Sequence, residues 1–80
     1  MEQLRLQNII RKYDKLYIDD IGFNENSYEI EVELFIGRYK NRNDFIKDCI
    51  KIKNELEKNG YKCAYDDDFS DTIFMLYIII

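Results

Sequence analysis

Glu29, Glu31 and Glu33 alternate with Ile30, Val32 and Leu34 inside the stretch Tyr28 to Ile36. An extended segment with that pattern carries a carboxylate at every second residue on one face and an apolar side chain on the other. Along a strand such carboxylates repeat at about 6.5–7 Å, close to two steps of about 3.4 Å along one strand of a nucleic acid. A row of them can occupy a cationic groove built for phosphates and release the same counterions. Asp19 and Asp20 add to the acidic set, as does the turn Asp66-Asp67-Asp68-x-x-Asp71. That turn also has carboxylates for a divalent cation, but it lacks the loop glycine and terminal Glu of an EF-hand. The plain alternative is a solvated face that keeps a small domain soluble and blunts strand-edge aggregation.

Other chemistry has little to stand on. The chain has no His, so no side chain has an ordinary titration near neutral pH. It contains no nucleophile elbow and no phosphate-binding glycine loop. The expectation is a protein that is not an enzyme and needs no cofactor. Cys49 and Cys63 are fourteen residues apart with no CxxC, which excludes zinc-finger and redox-dithiol spacing. They are expected as free buried thiols in a reducing cytosol. Lys47, Lys51, Asn54 and Lys58 share a helix face, with Tyr39 and Arg42 just before them. That face suits either phosphates or plain solvent, and Asp48, Glu55 and Glu57 interrupt it as partners for Asp48–Lys51 and Glu55–Lys58 pairs.

These residues need elements to hold them. Eighty residues make one domain, residues 1–80, with a thin core that hides roughly 60% of the unfolded surface. Leu6, Ile9, Ile10 and Tyr13 predict a helix over about residues 2 to 14. Leu16 to Ile21 reads as a short strand, with Leu16 and Ile18 on one face and Tyr17 and Asp19 on the other. Gly22 to Ser27 is turn-rich and links it as a hairpin to the central strand, which ends at Gly37. Asn43 is the expected N-cap of a second helix, with Asp44 in its first turn. Phe45, Cys49, Ile52 and Leu56 form its stripe, flanked by Ile46 and Ile50, and Asn59-Gly60 stops it. Tyr61 to Tyr65 and Thr72 to Ile79 are the last strands, joined by the Asp66–Asp71 turn. The fold class is therefore α+β: a four-stranded antiparallel sheet with two helices on one face, in the order α-β-β-α-β-β.

The last strand is apolar on both faces, which two helices on one side cannot explain. Ile73, Met75, Tyr77 and Ile79 form a homodimer interface, a partner's site, or a patch shielded by neighbouring aromatics. The run from Ile73 to Ile80 is less than half of the ~20 residues that a membrane-spanning helix needs. The start has no long apolar segment of a secretory signal. No membrane association and a cytoplasmic location in a host cell are expected.

Charge is segregated along the chain. Residues 16–37 carry net −6, residues 38–62 net +4 and residues 63–80 net −4, within an overall −4. Folded as above, the open sheet face and its turns are acidic and the helical layer is mildly basic. A compact, acidic, Cys-poor domain rich in Tyr, Asn, Ile and Lys resembles the small inhibitors that phages direct against host defences, the anti-CRISPR proteins among them. The similarity is one of general character over the whole chain. It implies stoichiometric blocking of a host nucleic-acid-binding effector protein. Candidate contacts are Asp19, Asp20, Glu29, Glu31, Glu33, Asp66, Asp67, Asp68 and Asp71, with Tyr17 and Tyr28 as anchors. Direct nucleic-acid binding by the second helix, and a homodimeric assembly role, are the alternatives.

Overall fold

In the computed structural model, residues 8–68 and 70–79 are described. The chain runs through β1 (Tyr17–Asn24), β2 (Glu29–Phe35), the helix α1 (Arg42–Lys58), β3 (Lys62–Asp66) and β4 (Ile73–Ile79). The sheet order is β1-β2-β4-β3, and every neighbouring pair is antiparallel. This is an α+β domain with a four-stranded antiparallel sheet. β2 and β4 occupy its centre, which is why they hold most of its apolar residues.

The core is built between even-numbered residues of the central strands and one stripe of α1. Ile30, Val32, Leu34, Phe74, Leu76 and Ile78 are buried on the sheet, and Phe45, Cys49, Ile52 and Leu56 on the helix. Ile9, Ile10 and Leu16 complete the same cluster. Residues 8–10 are helical, and the chain then turns through bonds from Lys12 N–H to Ile9 C=O and from Tyr13 N–H to Ile10 C=O. The helix expected to reach residue 14 therefore stops at Ile10. The Arg38 guanidinium donates to the Asp14 carbonyl at 2.6 Å, tying this segment to the chain just after β2. The rest of that helix expectation, including Leu6, lies outside the described residues, as do Phe69 of the turn and Ile80.

Other boundaries move for identifiable reasons. β1 continues through Gly22, Phe23 and Asn24, which were expected in the turn, because they pair with Glu31, Ile30 and Glu29. The reversal falls on residues 25–28 instead, with Tyr28 at a φ of 52°. The N-cap is Asn41 rather than Asn43. Its side-chain oxygen accepts the Asp44 N–H at 2.9 Å, satisfying one of the donors that a helix start leaves open. Asn59 caps the other end, with Gly60 beyond it at a φ of 92°.

Gly37 closes the hairpin's open end. Its φ is 55°, and a Cβ there would run into the Lys15 carbonyl oxygen and lie 2.8 Å from the Tyr17 ring. Two constraints thus exclude a side chain. Replacing Gly37 with Ala is expected to cost about 2 kcal/mol or more. Gly22→Ala should change little, because nothing lies within 4 Å of its would-be Cβ. Thermal unfolding followed by circular dichroism distinguishes the two, and Asn41→Ala should lose about 1 kcal/mol while Asn43→Ala stays near neutral.

Candidate functional site

The odd-numbered residues of β2 face away from α1, and the pairing register shows what surrounds them. Across the open face, Asp20 pairs with Glu33, Glu33 with Met75, and Met75 with Asp66. The next row is Gly22, Glu31, Tyr77 and Ala64, and the one after it Asn24, Glu29, Ile79 and Lys62. Carboxylates from β1, β2 and β3 therefore gather on one side of the sheet around the spine of β4.

A β-bulge sharpens this. The register shifts between Ile18 and Asp20, so Asp19 is an extra residue in β1. Without it, strict alternation would give Asp20 the same side as Ile18. With it, Ile18 and Ile21 both pair with buried residues, Leu34 and Val32, while Asp20 opposes Glu33. Asp19 approaches the same carboxyl. Glu33 is held above the ordinary carboxylate range, first by partial desolvation, then by the charges of Asp20 and Asp19. A hydrogen bond from the protonated Glu33 carboxyl to the Asp19 side chain and the charge of Glu31 add to it. Sequence alone gave no signal for the bulge, since nothing in Ile18-Asp19-Asp20-Ile21 marks which Asp is inserted.

Tyr77 reports the same field from β4. Its hydroxyl is raised first by desolvation, and then by Asp66, Glu31, Glu29 and Glu33. No cation answers these groups: among the described residues, the ion pairs are Lys12–Glu55, Lys51–Asp48 at 3.7 Å and Lys53–Glu57 at 2.9 Å. All three involve α1. The Glu55–Lys58 pair anticipated from spacing is replaced by Lys12, which arrives from the segment before β1. Asp48 also accepts the Tyr39 hydroxyl. Lys47, Lys51 and Lys58 are exposed on the helix surface.

The remaining candidates divide. Asp67, Asp68 and Asp71 lie in the β3–β4 connection, beyond the end of the open face. The Asp67 carbonyl accepts the Arg42 guanidinium, and the Asp66 carboxylate accepts the Asp68 N–H at 2.9 Å. Among the described residues no group of acidic or Cys side chains is placed to hold a metal ion. Tyr17 pairs with Phe35 at the acidic end of the open face, and both are exposed. Tyr28 sits at the opposite end, edge-on to Phe23 with ring centroids 6.4 Å apart. The two expected anchors are thus not neighbours.

The β4 spine is partly covered already. Met75 is only 7% exposed although it faces away from α1, and Tyr77 and Ile73 are half-buried. Its cross-strand neighbours are Glu33 and Asp66, directly opposite positions on a sheet being close enough for side chains to meet. Of the four residues expected to form a dimer face, Ile79 alone is exposed, at 42%.

Compared with known proteins, the chain matches no family model, no curated protein and no solved structure. No described helix is long and apolar enough to cross a membrane.

The Glu33 shift fixes a sign. An acid whose folded pKa exceeds its unfolded one binds its proton more tightly when folded, so stability falls as pH rises from the ordinary carboxylate range through the raised value. Glu33→Gln is expected to raise the melting temperature at neutral pH in low salt. The difference should vanish below the ordinary carboxylate pKa and shrink as salt is added. Melting curves of both proteins against pH check it.

Proposed function

We propose that the chain is a non-enzymatic binding protein whose open sheet face docks on the cationic nucleic-acid groove of an effector protein, in the manner of an anti-CRISPR inhibitor. One observation carries this: Asp19, Asp20, Glu29, Glu31, Glu33 and Asp66 share one face without a cationic partner among the described residues, while the ion pairs sit on α1. Unpaired like charges on one surface raise the free energy of the isolated domain; at Glu33 the charges of Asp20, Asp19 and Glu31 add to desolvation in raising the carboxyl. A partner surface rich in Arg and Lys relieves that repulsion on contact, and its own displaced ions add a salt-dependent driving force.

The flatness of a sheet face suits the task, because alternate side chains stand clear of the backbone at regular intervals. Glu29, Glu31 and Glu33 form the row, Asp19 and Asp20 widen it at one end, and Tyr17 with Phe35 provides an exposed aromatic border there. Tyr is among the side chains that most often carry binding energy when a partner buries it. Asp67, Asp68 and Asp71 extend negative charge past that same end. In this proposal Tyr28 is remote from the main contact.

Changing Glu29, Glu31 and Glu33 together to Gln is expected to weaken target capture from host lysate by on the order of tenfold or more. It should also flatten the salt dependence of capture. Equal capture by the triple variant at low salt overturns the proposal. A gel shift with single- and double-stranded probes completes the test, with no probe retained in the absence of a protein target.

A further inference from the structure

β3 is an outer strand of the sheet, and its outward-facing backbone N–H and C=O groups meet no partner among the described residues. The two edges are not alike. β1 is bulged at Asp19 and carries adjacent aspartates, both of which discourage another strand from joining. β3 has a regular register from Lys62 to Asp66, and its Lys62, Ala64, Tyr65 and Asp66 are exposed. It is the pairing-competent edge.

Its sequence, Lys62-Cys63-Ala64-Tyr65-Asp66, is complementary to itself when read antiparallel. Centred on Ala64, a second copy sets Lys62 opposite Asp66 and Cys63 opposite Tyr65, each twice by symmetry. Lys62 is the one basic side chain on the open face of the strands, and within its own chain it lies four residues from Asp66. That separation is about 13 Å along a strand. In the paired arrangement the ammonium of one copy instead comes directly across from the carboxylate of the other, at about 5 Å between Cβ atoms. The cation thus meets the acidic row at the residue that also raises the Tyr77 hydroxyl. Sliding the register by two residues sets Lys62 opposite Ala64 in one direction and opposite Asp68, beyond the end of β3, in the other, so only the alignment on Ala64 pairs the charges within the strand.

The helix side fits as well. Ile46, Ile50, Lys53 and Glu57 line the flank of α1 above β3, where Lys53 Nζ lies 5.8 Å from the centre of the Tyr65 ring. Ile46 and Ile50 are only half-buried there, and Tyr65 is 42% exposed. A second copy carrying the same flank across the seam covers these apolar groups.

We propose that the chain forms a two-fold dimer in which β3 of one copy pairs antiparallel with β3 of a second about Ala64, joining two sheets into one. The dimer would set two acidic faces side by side. It is measured without any target protein, so its failure is separate from failure of the inhibitor proposal.

Sedimentation velocity and light scattering over a wide concentration range should give the dimer mass for the native chain. Lys62→Asp and Asp66→Lys each set like charges across the seam, and each should weaken association by roughly tenfold or more. The double variant K62D/D66K recreates the opposite pairing and should restore the dimer. Circular dichroism confirms that each variant is folded. A native chain that is monomeric at every concentration overturns the proposal. So does a dimer indifferent to the single reversals, or a folded double variant that fails to recover.

Discussion

The pairing of β2 with β4 is the constraint from which the rest follows. It places Val32 beside Leu76 and Leu34 beside Phe74 on one side, and Glu31 beside Tyr77 and Glu33 beside Met75 on the other. The first set is fully buried against α1. The second set is thereby committed to the opposite surface, since a strand's side chains alternate strictly. The hydrophobic drive that seats Phe45, Ile52 and Leu56 on the sheet is thus also what assembles the carboxylates. Separating the two would require slipping the register by one residue, which would bury the glutamates instead.

That coupling explains why an acidic surface persists despite its internal repulsion. Burial of the apolar side chains supplies far more free energy than a few partly solvated like charges remove. Glu33 and Tyr77 are raised first by desolvation and then by the neighbouring carboxylates. Met75 is nearly buried on that open face beside Glu33, whose carboxyl is partly desolvated. The apolar spine of β4 and the acidic row are one packed layer, not two competing surfaces.

Much of this was legible in the sequence because periodicity encodes it directly. The alternation from Glu29 to Leu34 and the stripe Phe45, Cys49, Ile52, Leu56 name both halves of the core and the acidic face. Local chemistry was less legible where two similar residues compete. Asn41 and Asn43 are equally good caps by type, and the choice depends on where the chain leaves the Gly37 turn. The bulge at Asp19 has no composition signal, since it is settled by keeping both Ile18 and Ile21 over the core. Lys12 with Glu55 was invisible because the partners are far apart in sequence. The apolar character of Met75 suggested an exposed patch, and only the register shows what flanks it.

The two thiols carry a separate consequence. Cys49 is fully enclosed beneath the sheet, and burial followed by the charge of Asp48 pushes its thiol far from ionisation. Cys63, half-buried under the end of α1, is raised too, first by burial and then by Glu57. Thiolate chemistry at Cys49 therefore requires the helix to lift off, whereas Cys63 needs only fraying of an outer strand. The domain thus contains two internal clocks, one timing the loss of the whole fold and the other the loosening of a single border.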